Sequence, residues 1–235
     1  MRRIGWSLTE PTVAGDPGGR VRTLPLILGA LGIGAVVVAL LLALGFAAGR
    51  WPFGFDEAIV RGLRAWGGPG WLRRAAVDLT ALGGGTVLSV TVVAAAGLLL
   101  IRRLPLTASA VVLAAISGNL IVDLVKGQVA RARPAVVPHL VEVSNYSFPS
   151  GHAANSAIVW LTLAALAGQV TPSPPARNYL LAVAALLVGA IGASRVYLGV
   201  HWPSDVLAGW SFGTLWALGW WWVLARTRAS IGGER

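Results

Sequence analysis

Residues 79–101, LTALGGGTVLSVTVVAAAGLLLI, and residues 104–121, LPLTASAVVLAAISGNLI, carry no charged side chain and are parted only by Arg102 and Arg103. A helix needs about 20 mostly apolar residues to cross the hydrocarbon of a bilayer. Both stretches come close to that length. The same pattern recurs at residues 23–49, 143–176, 178–194 and 206–225. Six spans are therefore expected, at 24–48, 82–101, 105–125, 152–169, 178–194 and 204–225. The fold class is all-α: a six-transmembrane-helix bundle forming a single membrane domain at 24–225, with tails at 1–23 and 226–235.

Composition excludes the competing classes. A length of 235 residues permits one large domain or two small ones. Charged residues are only 12% of the chain, against roughly 25% in soluble domains, and 56% of the residues are hydrophobic. A soluble surface cannot be built from that. The net charge of +10 would suggest nucleic acid in a soluble protein. Beside apolar spans it points instead to anionic lipids, so membrane lipids are expected partners and nucleic acid is not. The chain has no cysteine, which removes disulfides, thiol nucleophiles, zinc–thiolate sites and iron–sulfur clusters. The first apolar run is longer than a signal-peptide core and follows Arg20 and Arg22, so it is read as a retained helix.

Six spans put both termini on one side. That side carries Arg2, Arg3, Arg20, Arg22, Arg102, Arg103, Arg177, Arg226, Arg228 and Arg235. The other carries Arg50, Arg61, Arg64, Arg73, Arg74, Lys126, Arg131, Arg133 and Arg195. The excess of basic residues places the termini in the cytoplasm, and Trp220, Trp221 and Trp222 form an aromatic belt at that interface. A bacterial-type cytoplasmic membrane is the expected location. In the first outer loop, residues 50–81, Phe55, Ile59, Leu63 and Trp66 recur at helical spacing. They read as a short amphipathic helix, lying in the outer interface or packed on the spans. No catalytic residue is expected in that loop. Gly83, Gly84 and Gly85 resemble no phosphate loop. Gly45 with Gly49, and Gly209 with Gly213, have the spacing of close helix contacts.

Three polar segments fall at one predicted membrane face: KGQVARARP at 126–134, SFPSGH at 147–152 and SRVYLGVHWPSD at 194–205. Each alone has a plain reading. Lys126 and Arg133 could snorkel from a helix end, Ser150 could be a helix cap, and His201 with Asp205 could be a structural pair one helical turn apart. Together they describe a site for a phosphoryl group. Arg133 and Arg195 offer planar forks that match phosphate oxygens, and Lys126 adds a point charge. Backbone N–H groups after Ser150 open a helix, which favours an anion, and Gly151 leaves room for close approach. His201 is the candidate nucleophile, because Asp205 can fix its tautomer and leave the other ring nitrogen free to attack. His152 is placed to protonate the departing oxygen and later to activate water.

The order Lys-x6-Arg-Pro, Pro-Ser-Gly-His and Ser-Arg-x5-His-x3-Asp resembles the three signature motifs of the type-2 phosphatidic acid phosphatase superfamily, which also holds vanadium haloperoxidases and bacterial acid phosphatases. All three motifs match without a departure, and the spans resemble its six-helix integral-membrane branch. The resemblance implies hydrolysis of a lipid phosphate monoester or diphosphate, such as phosphatidic acid, phosphatidylglycerophosphate or a polyprenyl diphosphate, through a phosphohistidine intermediate and without metal or other cofactor. It implies that Lys126, Arg133, Ser150, Gly151 and Arg195 bind phosphate, that His152 is the acid/base, and that His201 is the nucleophile with Asp205 as its partner.

An idle lipid-phosphate binder or transporter is the alternative, weighed against by His152, His201 and Asp205, since binding alone needs only the cations. A haloperoxidase is disfavoured by the spans. Asp123, three residues before Lys126, is expected to pair with it. His139 is expected to be a solvated loop residue. Asn145, Tyr146 and Phe148 are expected to border the substrate path, and Tyr197 to do so or to pack. Nothing in the sequence sets the oligomeric state.

Overall fold

The computed structural model describes residues 23–47 and 53–231. The tails, with Arg2, Arg3, Arg20, Arg22 and Arg235, and the residues Gly49, Arg50 and Trp51 lie outside the described residues. The elements are α1 (Thr23–Ala47), α2 (Gly54–Trp66), α3 (Leu72–Ala81), α4 (Gly85–Ile101), α5 (Pro105–Val129), α6 (Gly151–Ser156), α7 (Thr162–Val170), α8 (Pro174–Tyr197) and α9 (Pro203–Ser230). A π-helical turn at Ala157–Leu161 joins α6 to α7, so residues 151–170 run as one helical rod. No strand occurs among the described residues.

The described residues of the stretches read as spans are mostly helical, the second starting at Gly85 after a turn at 82–84. Among the described residues, Pro105–Val129 and Pro174–Tyr197 are each long and apolar enough to cross a membrane. The pair Leu72–Ala81 and Gly85–Ile101, bent by 46°, passes the same test when taken together. Val93, Leu98, Ile101, Leu120, Leu124 and Leu186 are exposed on these helices, as expected of a surface whose solvent is lipid. The bend explains the glycine triplet. A side chain at Gly83 would come within 2.5 Å of Ile191 Cγ2 and 3.3 Å of the His152 carbonyl, so the chain turns where α3–α4 passes closest to α6 and α8.

Small residues let the central helices meet. On α9, a Cβ at Gly209 would stand 2.6 Å from the Ser150 carbonyl, and one at Gly213 would overlap the Ala154 carbonyl. The Gly209 and Gly213 pair is thus an internal packing site. Ala153, Ala154 and Ala157 are fully buried in the same seam. Half-buried tryptophans reach backbone carbonyls with their indole N–H groups: Trp160 to Leu82 at 3.2 Å, Trp210 to Val188 at 3.1 Å and Trp216 to Ala114 at 3.1 Å. This satisfies the donor that makes tryptophan costly in an apolar core.

The bundle has two distinct ends. Arg228 near the end of α9 donates to Gln169 at 3.1 Å and to Thr107, so the end of α7 and the start of α5 meet there. The end of α5, the start of α6, the end of α8 and the start of α9 meet at the other. In α2, Asp56 and Val60 are buried and Leu63 packs on the core. Phe55, Ile59 and Trp66 stay 41%, 43% and 63% exposed. The apolar row expected for this helix is therefore divided, with Leu63 inside and the other three outside.

Candidate active site

The three polar segments come together at that second end. His201, 1% exposed, lies in the connection from α8 to α9, and its two ring nitrogens have different neighbours. Nδ1 is 3.5 Å from Asp205 Oδ2 and 3.4 Å from Ser147 Oγ. Nε2 is 3.1 Å from Arg133 Nη1. Asp205 does two jobs at the start of α9. Its Oδ2 accepts from the Trp202 backbone N–H at 2.9 Å, closing the first helical turn, and from the Ser147 hydroxyl. Pro203 occupies the first turn, where a missing N–H costs nothing. Burial pushes the His201 imidazole down to about 3. Asp205 opposes that shift, while Arg133 and Arg195 reinforce it. His201 is therefore neutral at ordinary pH, as a nucleophile must be.

Ser150 caps α6, accepting from the Ala153 N–H at 3.5 Å, and its own N–H donates to the Asp205 carbonyl at 3.0 Å. The plain capping reading holds for its hydroxyl, and the same contact fastens the start of α6 to the start of α9. His152 lies one residue into that helix, within electrostatic reach of Arg195, His201, Arg133 and Lys126. A Cβ at Gly151 would stand 3.7 Å from Lys126 Cε, beside the lysine that would share the anion.

Lys126 and Arg133 rest on carbonyl oxygens. Lys126 Nζ donates to Tyr146 O at 2.8 Å; Arg133 donates to Asn145 O at 2.6 Å and Val200 O at 2.7 Å. Burial pushes the Arg133 guanidinium below its ordinary range, against the pull of Asp205. Arg195, 5% exposed, donates from Nη1 to Thr80 Oγ1 at 3.1 Å, and its buried Nε has no hydrogen-bond partner. A buried guanidinium donor left unpaired costs free energy that an entering anion removes. Lys126, Arg133, Asn145 and Tyr146 line an open cleft with Asp123 and Ser144. A phosphate there would meet Lys126 and Arg133, the second of which reaches His201 Nε2.

Several expectations change. Asp123 makes no ion pair with Lys126; it accepts from Asn119 Nδ2 at 3.1 Å, and Asn119 Oδ1 accepts from Asn155 Nδ2 at 2.7 Å. That ladder ties α5, bearing Lys126, to α6, bearing His152. His139 is exposed in the loop, as expected, and its Nε2 donates to the Pro134 carbonyl at 2.7 Å. Tyr197 packs, donating to Gly67 O at 3.1 Å.

Sequence reasoning missed four contributors. The outer loop, expected to be chemically silent, supplies Thr80 to Arg195 and the fully buried Asp56. Arg131, counted only as an outer cation, is 7% exposed and bonds both Asp56 (2.8 Å) and Asp205. Ser147 was quoted with its motif but given no task. An acidic residue, Asp56, on the otherwise apolar stripe formed with Val60 and Leu63 was the one available signal.

The PAP2 superfamily model matches residues 107–229. The chain is 33% identical to phosphatidylglycerophosphatase B of Bacillus subtilis over 149 residues, 62% of this chain and 71% of that one. It is 37% identical to an undecaprenyl-diphosphatase of Sulfolobus acidocaldarius, over 30% of each chain. Among solved structures, the transmembrane PAP2-type phosphatidylglycerolphosphate phosphatase of Bacillus subtilis superposes with a TM-score of 0.72 at 28% identity, over 83% of this chain and 96% of that one. Aquifex aeolicus LpxE shares the fold, with a TM-score of 0.56 at 22% identity. The matched region begins in α5 and takes in all three motifs around His201, and the chain belongs to the PAP2 superfamily.

Proposed function

We propose that the protein is a membrane-embedded lipid phosphatase that hydrolyses a phosphate monoester or diphosphate of a lipid through a phosphohistidine on His201. The observation that carries this reading is the pair of contacts at His201: Asp205 at Nδ1 and the guanidinium of Arg133 at Nε2. Lys126, Arg133, Arg195, Ser150 and Gly151 hold the phosphate. Nε2 of His201 attacks phosphorus while His152 gives a proton to the leaving oxygen. His152 then takes a proton from water, whose oxygen displaces the histidine. The buried Nε of Arg195, without a partner until an anion arrives, supports the phosphate assignment.

The same reading gives the membrane arrangement: six spans in one domain at 24–225, termini in the cytoplasm and the site on the outer face. Exposed Phe55, Ile59 and Trp66 on α2 support an interfacial seat for that helix, and Arg226 stacked 5.2 Å from the Trp222 ring supports the cytoplasmic belt. The substrate class is phosphatidic acid, phosphatidylglycerophosphate or a polyprenyl diphosphate, the last two being what the named relatives act on. The test is a parallel hydrolysis panel of these lipids with purified protein in detergent, with and without EDTA. Release of inorganic phosphate that survives chelation is expected. Loss of activity with EDTA overturns the metal-free mechanism, and no release from any substrate favours an idle binder.

A further inference from the structure

We propose that Asp56, on α2, is a positioning residue for phosphoryl transfer, acting on His201 through Arg131 and Asp205. The inference rests on His201 being the attacking group. Asp56 and Asp205 are both fully buried, and Arg131 lies between them. Arg131 gives Nη2 to Asp56 Oδ2 at 2.8 Å and Nη1 to Asp205 Oδ1. Ser204 completes the cluster. Its N–H donates to Asp56 Oδ1 at 2.8 Å, its hydroxyl donates to Asp56 Oδ2 at 2.6 Å, and that hydroxyl accepts from Arg131 at 2.8 Å. The guanidinium also lies 5.3 Å from the centre of the Trp202 ring, which holds its plane.

Two consequences follow from this division of one guanidinium between two carboxylates. The first is geometric. A guanidinium facing one carboxylate grips both of its oxygens. With its second nitrogen on Asp56, Arg131 gives Nη1 to Oδ1 of Asp205, while Oδ2 takes His201, Ser147 and the Trp202 N–H. The second concerns charge. Asp56, Arg131 and Asp205 sum to one negative charge beside a neutral imidazole. As the Nε2–phosphorus bond forms and the phosphorus–oxygen bond to the lipid breaks, with the proton for that oxygen coming from His152, the ring keeps its Nδ1 proton and becomes cationic. The buried excess negative charge stabilises that cation as it develops in the transition state, where the neutral ground-state ring gains less, and such stabilisation raises kcat. Neutralising Asp56 would leave Arg131 free to close on Asp205 and cancel its charge. Asp56 itself is bonded to Arg131 and Ser204 and not to Lys126, Arg133 or Arg195, so the effect on phosphate binding is the smaller one.

A purely structural Asp56, which would only pin α2 to the start of α9, makes a different prediction. Asp56→Asn is to be compared with wild type and His201→Ala in full-length protein, measuring kcat, KM, vanadate inhibition and melting temperature. We expect kcat to fall about 10-fold or more, as when the partner orienting a functional histidine is lost. KM and vanadate inhibition should stay within about 2-fold, because they report the phosphate clamp. The 15N signal of the His201 Nδ1–H should move in the same variant. A lowered melting temperature with kcat unchanged overturns the proposal, and so does a loss carried by KM. Should Asp56→Asn fail to fold, Ser204→Ala keeps both charges while removing the hydroxyl that joins Asp56 Oδ2 to Arg131; a smaller fall in kcat at constant KM is expected, and unchanged kcat overturns the proposal. If His201→Ala remains active, the reading of the nucleophile has failed and this role of Asp56 falls with it, whereas an inactive His201→Ala beside an Asp56→Asn of unchanged kcat overturns the role of Asp56 alone.

Discussion

Arg133 Nη1 stands 3.1 Å from His201 Nε2. A guanidinium has donors and no acceptor, so this contact exists only if Nε2 carries its lone pair. The ring proton is therefore on Nδ1, facing Asp205 Oδ2. Arg133 and Asp205 thus select the same tautomer from opposite sides of the ring. When a phosphate oxygen takes over the Arg133 donor, the exposed lone pair is left pointing toward the group that displaced it.

His201→Ala removes that lone pair and leaves Lys126, Arg133 and Arg195 in place. Turnover is expected to drop by about 10⁴-fold or more, as in other enzymes stripped of their nucleophile. Vanadate, which mimics the five-coordinate phosphorus, should still bind. Phosphate release and vanadate binding measured on the same preparation check both halves. Full activity in the variant would refute the assignment.

The protonation of His201 is open to direct measurement. Burial holds its folded value at about 3, while an unfolded histidine titrates near about 6.5. As pH falls below about 6.5 the unfolded chain takes up a proton that the folded protein refuses, so this group lowers stability progressively from about 6.5 down toward 3. In the unliganded protein the 15N spectrum of His201 should stay in the neutral Nδ1–H form from pH 8 to about pH 5. A titration midpoint near about 6.5 would show that the ring is solvated and that the buried geometry is wrong.

Arg195 is braced by Thr80 and has a buried donor awaiting a partner. Lysine cannot reproduce a planar fork held at one nitrogen and presented at another. Arg195→Lys should lower kcat/KM by about 10- to 100-fold, on the scale of about 1.5–3 kcal/mol for a charged hydrogen bond. Thr80→Ala should cause a smaller loss in the same direction. Steady-state kinetics on one lipid phosphate would check the order, and wild-type kinetics in Arg195→Lys would remove it from the phosphate site.

The parts of this protein that were legible from sequence are those written in short spacings. Charge-free runs marked the helices, and the intervals from Lys126 to Arg133 and from His201 to Asp205 marked the clamp and the histidine with its partner. What stayed hidden depends on contacts between distant segments. Asp56 meets Ser204 across 148 positions and Arg195 meets Thr80 across 115, and no local pattern encodes such pairings. The pairing of Asp123 with Lys126 failed for the opposite reason. Proximity in sequence suggested it, but Asn119 lies one helical turn back on the same face as Asp123 and takes the carboxylate, while Tyr146 O takes the lysine.

The seam between α6 and α9 offers a test that changes no chemical group. A Cβ at Gly209 would fall 2.6 Å from the Ser150 carbonyl and 2.9 Å from Ala153 Cβ. The first is backbone and the second a methyl fixed to it, so neither can rotate away and Gly209→Ala must push α9 off the start of α6. That shift separates Asp205 and His201, which move with α9, from Gly151 and His152, which move with α6. A displacement of about 1 Å can cost about 10²-fold in rate, and overpacking costs about 1–3 kcal/mol in stability. Gly209→Ala should therefore lower both the melting temperature and kcat/KM. Gly189→Ala is the control, since nothing lies within 4 Å of a Cβ at that site on α8, and it should match wild type in both. Equal behaviour of the two variants would mean that the close approach of α6 and α9 does not set the geometry of the site.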